Sequence, residues 1–230
     1  MVIIENGVLC SHKDKICLRC AVVKLKLLPY HEYRGVDHRD PIRYYFWPIL
    51  GKLYRRRVEL ALSECKGGET VLEVGFGTGI TFLNLNDLYR EIHGLDLTAN
   101  IQEIEKTFQQ RGIKTFLNKG NVLSIPYPAA TFDTVLLISI LEHLHPTKLR
   151  EAFKEISRVL KAGGQIVYGV PVEKPIMVIA FGILGVNIRE HHYSTEVNVK
   201  EAAQKELTEV RITPVKTIFG KVYEIGHFSK

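Results

Sequence analysis

Residues 71–79 read Val-Leu-Glu-Val-Gly-Phe-Gly-Thr-Gly, and this stretch decides the fold. Val71 to Val74 are mostly apolar and β-branched, which suits a buried strand. The chain then turns through Gly75, Gly77 and Gly79 into the helical pattern ITFLNLNDLY. Glycines at a strand-to-helix turn let a ligand approach the backbone, and the helix start offers unsatisfied N–H groups. A dinucleotide site shares this architecture, but its G-x-G-x-x-G/A fingerprint needs Gly or Ala where Ile80 stands. Glu73, two residues before the first glycine, places a carboxylate near the loop. That suits a ligand with positive charge better than a pyrophosphate.

Working outward, short apolar strands alternate with helices. Strands are expected near 71–74, 91–95, 114–117, 134–139 and 165–170, and helices near 80–89, 99–111 and 146–160. In the last helix Leu149, Ala152, Phe153, Ile156 and Leu160 form one stripe, with Gly163 as terminator. Such alternation implies a mostly parallel sheet covered on both faces. Ahead of it, Asp40-Pro41 reads as a helix start. A further helix is expected over 49–65, with Leu50, Tyr54, Val58, Ala61 and Leu62 on one face. The tail after residue 206 reads as two strands turning at Phe219-Gly220.

The signature E-x-G-x-G-x-G resembles that of the class I S-adenosylmethionine-dependent methyltransferases. The resemblance continues through GLDLT around Asp96, GNVLSIPYP around Asn121, FDTVLLISILEHL and LKAGGQIVYGVP, and covers roughly residues 47–230. It is closest to the small-molecule and lipid branch, which carries an LEH-type sequence after the fourth strand. It implies a Rossmann-like, doubly wound, mostly parallel seven-stranded sheet ending in an antiparallel strand pair. It also implies S-adenosylmethionine as cofactor and methyl transfer to a small or lipid-like acceptor. A macromolecular (RNA or protein) methyltransferase and a non-catalytic cofactor-binding subunit remain alternatives. A nicotinamide enzyme is disfavoured by Ile80.

The resemblance also implies a site. Gly75, Gly77 and Gly79 would pass under the methionine and ribose portions, and Glu73 would hold the loop and the amino-group region. Asp96, 17 residues after Gly79, would accept from the ribose hydroxyls, or else serve as a turn residue. Leu97 would lie against the adenine ring. Asn121 stands where many relatives carry Asp; its carbonyl can still accept from the adenine amino group, or it is a plain turn residue. Val122 would offer a backbone N–H, and Ser139 ends the fourth strand at the site. His143, near Glu142 and His145, is the candidate catalytic residue, with a structural hydrogen bond or helix entry as alternatives. Methyl transfer depends mainly on in-line positioning, so a base is not obligatory.

Residues 1–68 carry 13 Lys+Arg and 7 Asp+Glu, while the rest of the chain is balanced. The formal net charge of +6 therefore precedes the glycine loop. This suggests an anionic partner there, with Arg55, Arg56 and Arg57 facing phosphate-rich headgroups, or else a solvated helix face. Nucleic acid is disfavoured, since no base-reading appendage or N-P-P-Y-type motif is visible. The longest apolar run, 175–186, is too short to span a bilayer. It reads as an acceptor-pocket wall or a core helix. The aromatic cluster Tyr44 to Trp47 reads as packing of the N-terminal helix or as a pocket lid. With no signal-like segment, a cytoplasmic protein is expected, peripheral to a membrane if the basic segment binds one. Residues 1–46 are read as a basic extension and 47–230 as the methyltransferase domain. Cys10, His12, Cys17 and Cys20 have zinc-knuckle spacing but lack its usual Gly; unligated thiols are expected and no metal is assigned. Cys65 reads as structural.

Overall fold

The computed structural model describes residues 3–5, 8–10, 23–34, 40–172, 192–218 and 220–230. The side chains of Cys10, His12, Cys17 and Cys20, the apolar run 175–186 and Phe219 lie outside the described residues.

A short antiparallel hairpin pairs β1 (Ile3–Glu5) with β2 (Val8–Cys10). Among the described residues the main sheet has seven strands: β3 (Gly68–Val74), β4 (Tyr89–Asp96), β5 (Thr115–Lys119), β6 (Phe132–Ile138), β7 (Leu160–Pro171), β8 (Thr208–Thr217) and β9 (Gly220–Ser229). Their spatial order is β5-β4-β3-β6-β7-β9-β8. Strands β3 to β7 are parallel, and β9 runs antiparallel between β7 and β8. The described helices are α1 (Ile42–Tyr45), α2 (Leu50–Glu64), α3 (Phe82–Leu88), α4 (Ile101–Gln109), α5 (Pro146–Val159) and α6 (Glu196–Gln204).

The central strands β3, β6 and β7 are buried on both faces, as a parallel sheet between helices requires. Val71, Leu136 and Val167 join a core with α2, α3 and α4. Their neighbours Leu72, Val135 and Ile166 point the opposite way, into a core with α5 and α6. The expected α/β sheet is thus present. Its local ends differ from the sequence reading in one instructive place. Helix α5 stops at Val159 because Leu160 is already extended, so Gly163 does not terminate it. Gly163, at φ +73°, instead bends the start of β7.

The segment ahead of residue 47 makes close contact with the sheet domain. Leu25, Leu28, Tyr33, Ile42 and Tyr45 are buried in the same core as α2 and α3. The Lys26 N–H donates to Asn84 Oδ1 (2.9 Å), and Asn84 Nδ2 donates back to the Lys24 carbonyl (3.0 Å). Described residues between 23 and 46 thus pack directly against α2 and α3.

Candidate functional site

The order of strands reverses between β3 and β6, and an open α/β sheet binds ligands at the carboxyl ends of such a switch point. A cavity of ≈ 290 Å³ lies there. Glu73 and Gly75 enter it from β3, Asp96 from β4, and Ile138 and Ser139 from β6. Gly77 and His143 also line it.

The glycine loop has the backbone that the sequence demands. Gly75, Gly77 and Gly79 have φ of +71°, +50° and +70°, a region that L side chains rarely adopt. A Cβ on Gly75 would lie 1.9 Å from Ile140 Cδ1, and one on Gly77 2.7 Å from Asp40 Oδ2. Gly79 packs below the cavity, against Phe82 and Phe108. Ile80, the residue that breaks the dinucleotide fingerprint, lines the wall.

Three carboxylates surround this loop. Glu73 is buried and accepts a hydrogen bond from the Thr81 hydroxyl. Burial pushes its carboxyl up to about 8, opposed by the Thr81 bond and assisted by the charge on Asp96. Asp96 caps the turn and also lines the cavity. Its Oδ1 accepts from the N–H groups of Thr98 (2.8 Å) and Ala99 (3.0 Å), while Oδ2 accepts from Gly77 N–H (3.0 Å). Oδ2 thus retains acceptor capacity for a ligand hydroxyl. The third carboxylate, Asp40, is not among the site residues read from the sequence. It accepts from Ile42 N–H (2.8 Å) from one residue ahead of the N-cap, Pro41, so it stands just outside the cap position expected for it, and the same residue lines the cavity. Burial holds its carboxyl above the ordinary aspartate range.

Arg57 is the second residue missed. It does not face headgroups. Its guanidinium donates to Ser139 Oγ and to the Tyr45 hydroxyl (both 3.1 Å) and stacks 4.2 Å from the Tyr54 ring centroid. Ser139 Oγ is in turn 2.8 Å from the Tyr223 hydroxyl of β9. Arg55 donates to the Tyr45 carbonyl, and of the three arginines only Arg56 is exposed. The signal was available: position 57 lies three after Tyr54 and four before Ala61, beside the buried stripe of α2. Replacing all three arginines would therefore disturb the cavity wall.

The remaining expected residues are placed as follows. Leu97 is 65% exposed, next to Asp96. Asn121 is exposed and its Oδ1 accepts from Leu123 N–H (3.0 Å), a turn role. Val122 is buried in the core beside Leu95. None of these three is among the residues lining the cavity. Cys65 is buried, and burial pushes its thiol up to about 12, so it is inert.

Residues 72–168 match a family model described as a methyltransferase domain. An uncharacterised methyltransferase of Bacillus subtilis is 30% identical over 105 residues, 45% of this chain and 41% of that protein. The demethylmenaquinone methyltransferase of Bacillus licheniformis is 36% identical over 111 residues, 47% of each. The matched region thus spans just under half the length of these relatives. The N-methyltransferase NodS of Bradyrhizobium japonicum, solved with S-adenosylhomocysteine, superposes with a TM-score of 0.64 at 19% identity. That match covers 87% of this chain and 96% of NodS, a likeness of fold. Glycine loop, strand-end carboxylates, sheet order and these matches converge on one reading: residues 72–168 are similar to a methyltransferase domain, and they support a class I S-adenosylmethionine-dependent methyltransferase.

Proposed function

We propose that the protein transfers a methyl group from S-adenosylmethionine to a small, amphipathic, lipid-like acceptor. The cofactor fits the residues present. Gly75 and Gly77 present bare backbone to the cavity, and Glu73, Asp40 and Asp96 suit a ligand carrying a sulfonium and an ammonium group. Asp96 would take a ribose hydroxyl, and Glu73 the amino-group side. Leu97, Asn121 and Val122, beyond the cavity lining, are kept as the adenine side. When bound, the cofactor supplies an electrophilic methyl; the protein's own contribution is to hold the acceptor in line with it and exclude water.

One observation carries the acceptor class. Tyr45 lines the cavity, and the residues that follow it turn outward as an apolar tip: Phe46, Trp47 (51% exposed) and Ile49 (87% exposed). Exposed Arg43, Lys52 and Arg56 lie in the same segment. Aromatic and aliphatic side chains beside basic ones suit the boundary between headgroups and acyl chains. The acceptor named for the B. licheniformis relative supports this reading. Among the described residues no helix is long and apolar enough to cross a membrane.

Trp47 is the chain's single tryptophan, so its fluorescence reports on this tip directly. Vesicles of phosphatidylcholine with phosphatidylglycerol are expected to blue-shift it. High salt should weaken the effect by screening, and Phe46→Ser with Ile49→Ser should reduce it. In a cell extract supplied with methyl-labelled cofactor, label is expected in the organic-soluble fraction. Label confined to RNA or protein, with no vesicle response, would replace this reading by the macromolecular one. Calorimetry with S-adenosylhomocysteine and NAD is expected to show binding of the first only.

A further inference from the structure

We propose that Glu142, His143 and His192 form a site for a zinc-class divalent ion at the mouth of the cavity. This departs from the sequence reading, which assigns no metal. Glu142 and His143 lie in the short 3-10 turn that follows β6, and His192 lies 49 residues beyond His143, before α6. One carboxylate oxygen and one imidazole nitrogen from each histidine all fall within 4.8 Å of one another. Among the described residues this is the one such cluster.

The backbone brings these distant residues together. The N–H groups of Tyr193 and Ser194 both donate to the Glu142 carbonyl (2.8 and 3.1 Å). Ser194 Oγ donates to the Leu144 carbonyl (2.6 Å). The two imidazoles consequently sit with ring centroids 5.2 Å apart. Tetrahedral zinc with bonds of about 2.1 Å needs its ligand atoms about 3.4 Å apart. Glu142 is 2% exposed and packed in place. His143 is exposed and His192 half-buried, so their rings can close the difference by rotating about χ1 and χ2.

The donor set selects the ion. Two imidazoles and one carboxylate suit zinc and its transition-metal neighbours, whereas magnesium and calcium prefer oxygen ligands. Three protein donors leave a coordination position open, the pattern of sites that bind an exchangeable oxygen ligand. His143 also lines the cavity. Resting on the methyl-transfer reading, the open position would hold an oxygen of the acceptor beside the methyl-transfer site.

The test uses the full chain with Cys10→Ser, Cys17→Ser and Cys20→Ser, which removes thiolate ligands elsewhere. After chelation, titration with zinc chloride is expected to load one ion per chain. Cobalt chloride is expected to give visible d–d bands without a thiolate charge-transfer band, and millimolar magnesium should not displace it. His192→Ala and Glu142→Gln should each weaken zinc binding by roughly tenfold or more. Thermal melting of the metal-free proteins checks folding, and His192, on a half-buried loop, is the safer of the two changes. No zinc uptake by the folded parent, or uptake unaltered by His192→Ala, overturns the site. S-adenosylhomocysteine binding by the metal-free protein separates the two readings. If it persists while zinc binding fails, the metal site alone falls; if zinc binds and the cofactor does not, the methyltransferase reading fails.

Discussion

Glu73→Gln is expected to stabilise the free protein at alkaline pH while weakening cofactor binding. The Glu73 carboxyl is pushed up to about 8 by burial, from an ordinary value of 4.5. The folded state therefore holds this proton through a window in which the unfolded chain has lost it. Its contribution to stability is complete below the unfolded value and is lost as pH rises through about 8. Glutamine mimics the neutral acid and can still bond the Thr81 hydroxyl. The variant should consequently melt above wild type at pH 9 by several degrees, on the order of 2 kcal/mol. A cationic ligand favours the ionised form, so wild-type binding should release a proton and tighten as pH rises from 6 towards 8. In the variant the affinity should fall roughly tenfold or more, by loss of a charge-assisted contact, and the pH dependence should flatten. Calorimetry in buffers of different ionisation enthalpy reads the proton directly. A variant that melts below wild type at pH 9, together with wild-type affinity that is flat across this range, would remove Glu73 from the electrostatics of the site.

Asp96→Ala should have a comparable effect on binding through a different route. It removes the acceptor for a ligand hydroxyl, and it also releases the N–H groups of Gly77, Thr98 and Ala99 that the carboxylate gathers. The first loss weakens S-adenosylhomocysteine binding by about 1.5–3 kcal/mol. The second loosens the glycine loop. Asp96→Asn keeps a carbonyl oxygen for part of the turn and gives up the charge, so its affinity should lie between those of wild type and Asp96→Ala. If folded Asp96→Ala protein binds the ligand as wild type does, the carboxylate is a turn cap and nothing more.

These two residues were legible in the sequence because their placement is local. Glu73, the three glycines and Asp96 sit at strand ends whose positions follow from apolar runs and turn residues. The helices α4 and α5 were legible for the same reason, through their apolar stripes. What could not be read depends on packing between distant segments. Asp40 was visible at a helix start, but its approach to Gly77 is a tertiary contact. Arg57 carries a charge that argues for solvent, and the cage of Tyr45, Tyr54 and Tyr223 that receives it comes from two separate regions of the chain. His192 is 49 residues from His143 in sequence, and the backbone bonds from Tyr193 and Ser194 bring it to Glu142. The terminal strand pair was expected, yet its insertion beside β7 is fixed by the Gln165–Pro171 pairing, which no local pattern encodes.

That insertion bears on how the molecule is made. Strand β9 is synthesised after every other strand of the sheet, yet it lies inside it, bonded to β7 on one side and β8 on the other. Among the described residues strand β8 has no other partner in the sheet. A nascent chain that has delivered residues 68–217 can assemble the parallel strands, but it leaves β8 undocked and the edge of β7 open. Tyr223 arrives with this last strand, so the tyrosine cage around Arg57 closes only then. Sheet and cavity thus reach completion in the same late step, and during translation the bare edge of β7 is the place where wrong pairing would begin.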